Sequence, residues 1–215
     1  MYINYESIID VVLNKEPFKY FIVKDFINKD YVKELEEGFP NIETSGSVPL
    51  SSLTYTKKFE KFIKELEGNK FREVISKKFG VDLSECPVMI TARGICKKSN
   101  GKIHIDSKGK VLTFLLYFND SWDSEGGKLR LLNNEHDIED YLEEIEPLTG
   151  TLVAFECVEN AWHGHKPHIG MMKSIQLNYV KDSSYLNKEQ SRHKLSAMLK
   201  RFCGYICSKK KSKDR

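Results

Sequence analysis

The sequence predicts an α+β fold: a β-sandwich or jelly roll with N-terminal helices packed on one sheet. Two observations lead there. Apolar residues at helical spacing dominate roughly the first third of the chain, and from about residue 87 short strand-like runs with tight connections take over. Helices first and strands afterwards, with no internal repeat, is the order expected when a helical layer covers one face of a β-sandwich.

The elements follow in order. Ile8, Ile9, Val12 and Leu13 are spaced for a helix over Tyr5 to Lys15. Tyr20-Phe21-Ile22-Val23, inside the β-rich stretch Phe18 to Phe26, predicts a strand. Asp30 is the expected N-cap of a helix through Glu37, stopped by Gly38 and Pro40. Residues 41–54, rich in Ser, Thr, Gly and Pro, read as a loop. Lys57 to Leu66 and Phe71 to Phe79 are amphipathic helical segments parted by Gly68-Asn69 and closed by Gly80. Strands are expected over Val88 to Arg93, Lys102 to Asp106 and Val111 to Phe118, the last apolar on both alternating faces, as a strand covered on both sides should be. Gly126-Gly127 marks a turn before the strand Lys128 to Leu132, and the acidic run Glu135 to Glu146 reads as helix or loop. Gly150 to Phe155, Ala161 to His163 and Lys173 to Val180 complete the strands.

A chain of 215 residues with 40% hydrophobic positions is large enough for one well-packed domain and too apolar for global disorder. No apolar run reaches the length of a membrane span, and the first residues lack the basic flank and apolar stretch of a signal peptide. Five scattered cysteines (Cys86, Cys96, Cys157, Cys203, Cys207) fit reduced thiols in a cytoplasmic setting better than a disulfide scaffold. The net charge of +3 is a sum of unlike regions: residues 191–215 hold nine Lys/Arg against one Asp, while the preceding 190 residues hold 25 basic and 30 acidic groups. An acidic body without a basic groove disfavours a nucleic-acid partner.

The chemistry-bearing residues begin with His104-Ile105-Asp106. On a strand, positions two apart share a face, so imidazole and carboxylate converge. A second histidine would complete a two-His-one-carboxylate triad, which holds Fe(II) and leaves coordination positions open. His163, at the end of its strand, is the candidate; His165 and His168 compete with it. Lys173, alternating with Ile175, Leu177 and Tyr179, is expected to enter an otherwise apolar cavity, where its charge needs an anionic ligand.

These residues sit in a longer pattern: Arg93-Gly94, Gly101 to Ser107, Lys110 to Thr113, Leu116 to Asn119 followed by Trp122, Gly126 to Arg130, Pro147 to Phe155, Asn160 to His165 and Ser174 to Tyr179. In order and spacing it resembles the 2-oxoglutarate- and Fe(II)-dependent dioxygenases, in the branch similar to prolyl 4-hydroxylases, over residues 87–181. The resemblance implies a double-stranded β-helix of the cupin-like jelly-roll type. It divides the chain into one domain of residues 1–190, made of a helical segment over residues 1–86 and a β-helix core over residues 87–182, and a basic C-terminal helix and tail of residues 191–215. It also implies Fe(II) held by His104, Asp106 and His163, preferred over His165 because it follows Trp162. The distal carboxylate of 2-oxoglutarate would be held by Lys173 with a hydrogen bond from Tyr117, and ascorbate is an additional candidate reductant. The family usually carries Arg where this chain has Met172-Lys173, and a lysine offers a point charge instead of a fork.

The implied reaction is hydroxylation of a small molecule or a prolyl residue, with release of succinate and carbon dioxide. Arg93, His165 and Arg130 are secondary candidates for contacting substrate or supporting the site. The tail, with Leu195, Met198, Leu199, Phe202 and Ile206 at helical spacing before Lys209 to Lys213, is a candidate for weak contact with a membrane surface. The competing reading is a jelly-roll binding module that keeps a metal without turnover.

Overall fold

A computed structural model describes residues 1–189 and 191–192. The chain runs α1 (Tyr5–Asp10), β1 (Tyr20–Val23), α2 (Val32–Gly38), β2 (Val48–Pro49), α3 (Lys57–Glu67) and α4 (Asn69–Phe79). Seven strands follow: β3 (Val88–Cys96), β4 (Lys110–Tyr117), β5 (Leu129–Leu132), β6 (Tyr141–Ile145), β7 (Leu152–Glu156), β8 (His163–Gly164) and β9 (Gly170–Val180). Residues 183–189, 191 and 192 are helical. The strands form two antiparallel sheets, one of six strands in the order β1-β7-β4-β9-β3-β2 and one of three in the order β6-β5-β8.

The two faces of the large sheet pack against different layers. Leu112, Phe114 and Leu116 of β4 and Ile175, Leu177 and Tyr179 of β9 join Phe59, Phe62, Phe71 and Ile75 of α3 and α4 in one core. Local chemistry sets these helices. Thr56 caps α3 by accepting a hydrogen bond from the Phe59 N–H at 3.2 Å, and Phe59, Phe62, Ile63 and Leu66 line one buried stripe. Gly80 ends α4 in the left-handed conformation (φ +68°) that favours glycine. The opposite face of the large sheet meets the small sheet. Tyr117, Val153 and Phe155 pack there with Leu129, Leu131, Ile145 and Ala161 in a second core.

Several local expectations change. The first helix ends at Asp10, because Asn14 pairs with Tyr20 and the chain must turn back; Ile9 and Val12 are left exposed. Asp30 lies in a 3-10 turn and does not cap α2, which begins at Val32 without a side-chain cap. Residues 102–106 form no strand, and their backbone pairs with a strand through one bridge, His104 to His163. The acidic run contains strand β6. Cys86, Cys96 and Cys157 are free thiols. No helix among the described residues is long and apolar enough to cross a membrane. Cys203, Cys207, His193 and the amphipathic, polybasic stretch of the tail lie outside the described residues.

Phe59 holds the helices to the sheet: its ring lies 5.8 Å from Phe39, 6.0 Å from Phe62 and 5.5 Å from Phe118, and it is fully buried. Phe59→Ala is expected to cost about 3–5 kcal/mol, the range for a buried phenylalanine replaced by alanine. Urea unfolding checks this; a loss under about 1 kcal/mol would contradict the packing role.

Candidate metal centre

The site begins with a backbone contact. His104 N–H donates to the His163 carbonyl and His163 N–H to the His104 carbonyl, both at 3.0 Å, so the two residues form one antiparallel pair. Their imidazoles lie 4.3 Å apart between centroids. Each ring is oriented the same way: Nδ1 of His104 lies 2.8 Å from the Lys102 carbonyl and Nδ1 of His163 lies 3.0 Å from the Ala161 carbonyl. A carbonyl oxygen only accepts, so each Nδ1 carries the hydrogen and each Nε2 presents a lone pair. Burial, partly offset by Asp106, pushes the His163 pKa down to about 4, so its ring is neutral, as a metal ligand must be.

Asp106 supplies the third donor. The chain reverses after it, with Lys110 N–H donating to the Ser107 carbonyl at 2.9 Å, and enters β4. This turn brings Lys110 Nζ to 2.6 Å from Asp106 Oδ1, and the Thr113 hydroxyl hydrogen-bonds Oδ2. Asn178 Nδ2 in turn donates to Thr113 Oγ1 at 2.6 Å, which leaves the Thr113 hydrogen for the carboxylate. Burial opposes ionisation of Asp106, but Lys110, His163 and the two hydrogen bonds hold its pKa below the ordinary value. One ligand atom from each of His104, Asp106 and His163 lies within 4.8 Å of the others. Two imidazoles and one carboxylate suit a first-row divalent metal such as Fe(II). Cys157 does not compete: its Sγ is 3.9 Å from Asp106 Oδ2, and burial with the nearby carboxylate pushes its pKa up to about 12, leaving a thiol.

The triad lines a cavity of about 340 Å³ between the two sheets. Its walls include Thr91, Arg93, Leu115 and Tyr117 from the large sheet and Leu129 from the small one. Burial raises the Tyr117 pKa, so its hydroxyl stays a hydrogen-bond donor. His165 also reaches this cavity and is buried. Its Nδ1 lies 2.8 Å from the Lys166 carbonyl, and its Nε2 has no partner among the described residues. The ring lies against Gly101 (φ +80°), where a Cβ would stand 2.2 Å from it, so only glycine leaves His165 in place. His168 packs at a tilt against Trp122, 4.6 Å between centroids, outside the cavity.

Two expected site residues are elsewhere. Lys173 does share a face with Ile175, Leu177 and Tyr179, but that face packs on the helices. Strand β9 instead turns Met172, Ser174, Gln176 and Asn178 to the cavity, and Lys173 borders a separate surface cleft with Asn119, Asp120 and Asp123. Arg130 points away from the core residues Leu129 and Leu131, on the outer side of the small sheet. There it pairs with Glu144 (2.6 Å) and Glu139 (3.0 Å), donates to the Ile138 carbonyl and covers the Tyr141 ring at 4.3 Å. It braces β5 against β6 and does not line the cavity of the triad. Lys110, Thr113 and Asn178 carry roles that sequence reasoning missed. Thr113 and Lys110 are legible in principle, because Thr113 is the inward position of β4 in step with Leu115 and Tyr117, and Lys110 lies four residues after Asp106.

Residues 94–180 match the 2OG-Fe(II) oxygenase superfamily, a stretch that includes all three members of the cluster. Among solved structures the chain is similar to a prolyl-4-hydroxylase from Pseudomonas putida, with a TM-score of 0.56 and 16% identity over 77% of this chain and 94% of that one. It is also similar to a prolyl hydroxylase from Trichoplax adhaerens, solved with a hypoxia inducible factor oxygen degradation domain peptide, with a TM-score of 0.56 and 20% identity over 87% of this chain and 91% of that one. No curated protein sequence matches the chain. The fold around the cavity is therefore that of the prolyl hydroxylases, and the region that holds all three members of the cluster is similar to the 2OG-Fe(II) oxygenase superfamily.

Proposed function

We propose that this chain is a hydroxylase in which His104, Asp106 and His163 hold Fe(II), with residues 1–190 as one catalytic domain and the two sheets closing as a double-stranded β-helix over residues 87–182. The observation that carries this reading is the shared orientation of the two histidines. Both have Nδ1 tied to a backbone carbonyl and Nε2 free, beside a carboxylate whose position is set by Lys110 and Thr113. Bound Fe(II) and 2-oxoglutarate supply the oxidising chemistry that places one oxygen atom of O₂ into a substrate C–H bond, with succinate and carbon dioxide as co-products.

The chain's own residues bind, orient and exclude water. Lys110 donates to Oδ1 of Asp106 and Thr113 to Oδ2, which fixes the orientation of the carboxylate and leaves each oxygen a further lone pair with which it could hold the metal. Phe155, 4.7 Å from the His163 ring, and Leu115 and Leu129 on the walls keep the surroundings apolar. Tyr117 remains a neutral phenol able to donate to a carboxylate. The substrate is a prolyl residue of a protein or a small molecule. The prolyl reading is supported by likeness to the Trichoplax enzyme, whose structure holds a peptide.

Succinate formation from 2-oxoglutarate with ferrous iron tests the function. Wild type is expected to form it, faster with a productive substrate from a panel of prolyl peptides and small hydroxylatable acids. His104→Ala and Asp106→Ala are each expected to reduce turnover at least about 100-fold, the scale for losing a metal ligand or its support. Wild-type turnover equal to either variant would contradict the assignment.

The neutrality of His163 has a pH signature in the metal-free chain. Unfolded, it takes up a proton near its ordinary value of 6.5; folded, it does so only near 4. The unfolded state therefore binds more protons in that window, and stability falls as pH drops from about 6.5 to 4. Urea unfolding with a chelator present should show this slope reduced in His163→Gln. Identical slopes in the two proteins would contradict the buried, neutral state.

A further inference from the structure

Strand β9 brings no cation to the cavity: its inward positions are Met172, Ser174, Gln176 and Asn178. The cations that do line the cavity are Arg93, Lys110 and Arg192. Lys110 is committed to Asp106 and Arg192 to Glu189. Arg93 has no carboxylate partner among the described residues; its neighbours are the Cys96 thiol, Tyr117 and His165.

The sheet register gives Arg93 a meaning. Arg93 of β3 is opposite Ser174 of β9, and Ser174 is opposite Tyr117 of β4. The three residues therefore form one row across adjacent strands, spaced about 4.8 Å apart, and all three line the cavity. The row holds a guanidinium fork and two hydroxyl donors, four residues along β4 from Thr113, which hydrogen-bonds Asp106. A carboxylate presents four lone-pair sites on two oxygens and is matched by a planar fork and flanking hydroxyls.

We propose that Arg93 supplies, from β3, the cation that holds the distal carboxylate of 2-oxoglutarate, with Ser174 and Tyr117 completing the subsite. This rests on the function proposed above and names the residues of its cosubstrate pocket. It replaces the β9 lysine expected from sequence with an arginine on the neighbouring strand, and it restores the bidentate fork that a lysine lacks. Met172 then packs beside the subsite as an apolar wall.

Calorimetric titration of the full chain loaded with Mn(II) tests this without turnover. Two acids are compared: 2-oxoglutarate, and 2-oxopentanoate, which has the same chain length with a methyl group in place of the distal carboxylate. Wild type is expected to bind 2-oxoglutarate more tightly. Arg93→Met is expected to weaken 2-oxoglutarate about 100-fold, the scale for removing one partner of a buried charge pair. It should leave 2-oxopentanoate and Mn(II) binding within about threefold. Ser174→Ala, a smaller change, is expected to weaken 2-oxoglutarate selectively by about 10-fold, the low end for losing one hydrogen bond to a charged group. Lys173→Met is expected to bind both acids as wild type does.

Wild-type affinity for 2-oxoglutarate in Arg93→Met, equal losses for the two acids, or a selective loss in Lys173→Met would each overturn the subsite while leaving the function standing. Failure of the Mn(II)-loaded wild type to bind 2-oxoglutarate at all would overturn the function and the subsite together.

Discussion

The antiparallel pair His104–His163 is the contact on which the site depends. Two backbone hydrogen bonds of 3.0 Å fasten the irregular segment of residues 97–109 to strand β8 and bring together imidazoles 59 positions apart in sequence. A lone pair of hydrogen bonds contributes only about 1–3 kcal/mol. Its importance is positional. Once the backbones are paired, each imidazole needs only a nearby carbonyl to fix its tautomer, and the carbonyls of Lys102 and Ala161 stand two residues away in each case. Asp106 then arrives by a short reversal of the chain, and the first inward residues of β4 hold it.

Chemistry of this polarity inside a small domain requires that stability come from elsewhere. Here the large sheet separates the two demands by face. Its helix side buries Phe59, Phe62, Phe71, Phe114, Leu177 and Tyr179 almost completely, and burial of such side chains contributes roughly 1.5–3 kcal/mol each. The cavity side can then carry Ser174, Gln176 and Asn178, polar groups that weaken a core but offer hydrogen bonds to a ligand. The buried Asp106–Lys110 pair is tolerated on the same terms: each charge has the other at 2.6 Å, and Thr113 completes the carboxylate's hydrogen bonding.

What is legible in the sequence follows from periodicity and local chemistry. The stripe Phe59, Phe62, Ile63, Leu66 predicts α3, the run apolar on both faces over 111–118 predicts β4, and His104, Asp106 and His163, singled out from the sequence, come together in one cluster. What stays hidden depends on tertiary contacts. The alternation of β9 shows two faces, Lys173 with Ile175, Leu177 and Tyr179 against Ser174, Gln176 and Asn178. Which face meets the helices is decided by packing, and the polar face is the better sign of a cavity. Arg130 looks available from sequence because its partners, Glu139 and Glu144, lie in a run whose strand character depends on pairing with β5. Arg93 acquires its significance only through register, since nothing local shows that it shares a row with Ser174 and Tyr117.

The central claim is that His104, Asp106 and His163 form a single Fe(II) centre. Anaerobic titration of the metal-free chain with Fe(II), read as bound iron per chain, tests it most directly. One ion per chain is expected, abolished by Asp106→Ala with the far-ultraviolet circular dichroism unchanged. No bound iron in the folded wild type, or an undiminished stoichiometry in folded Asp106→Ala, would contradict it.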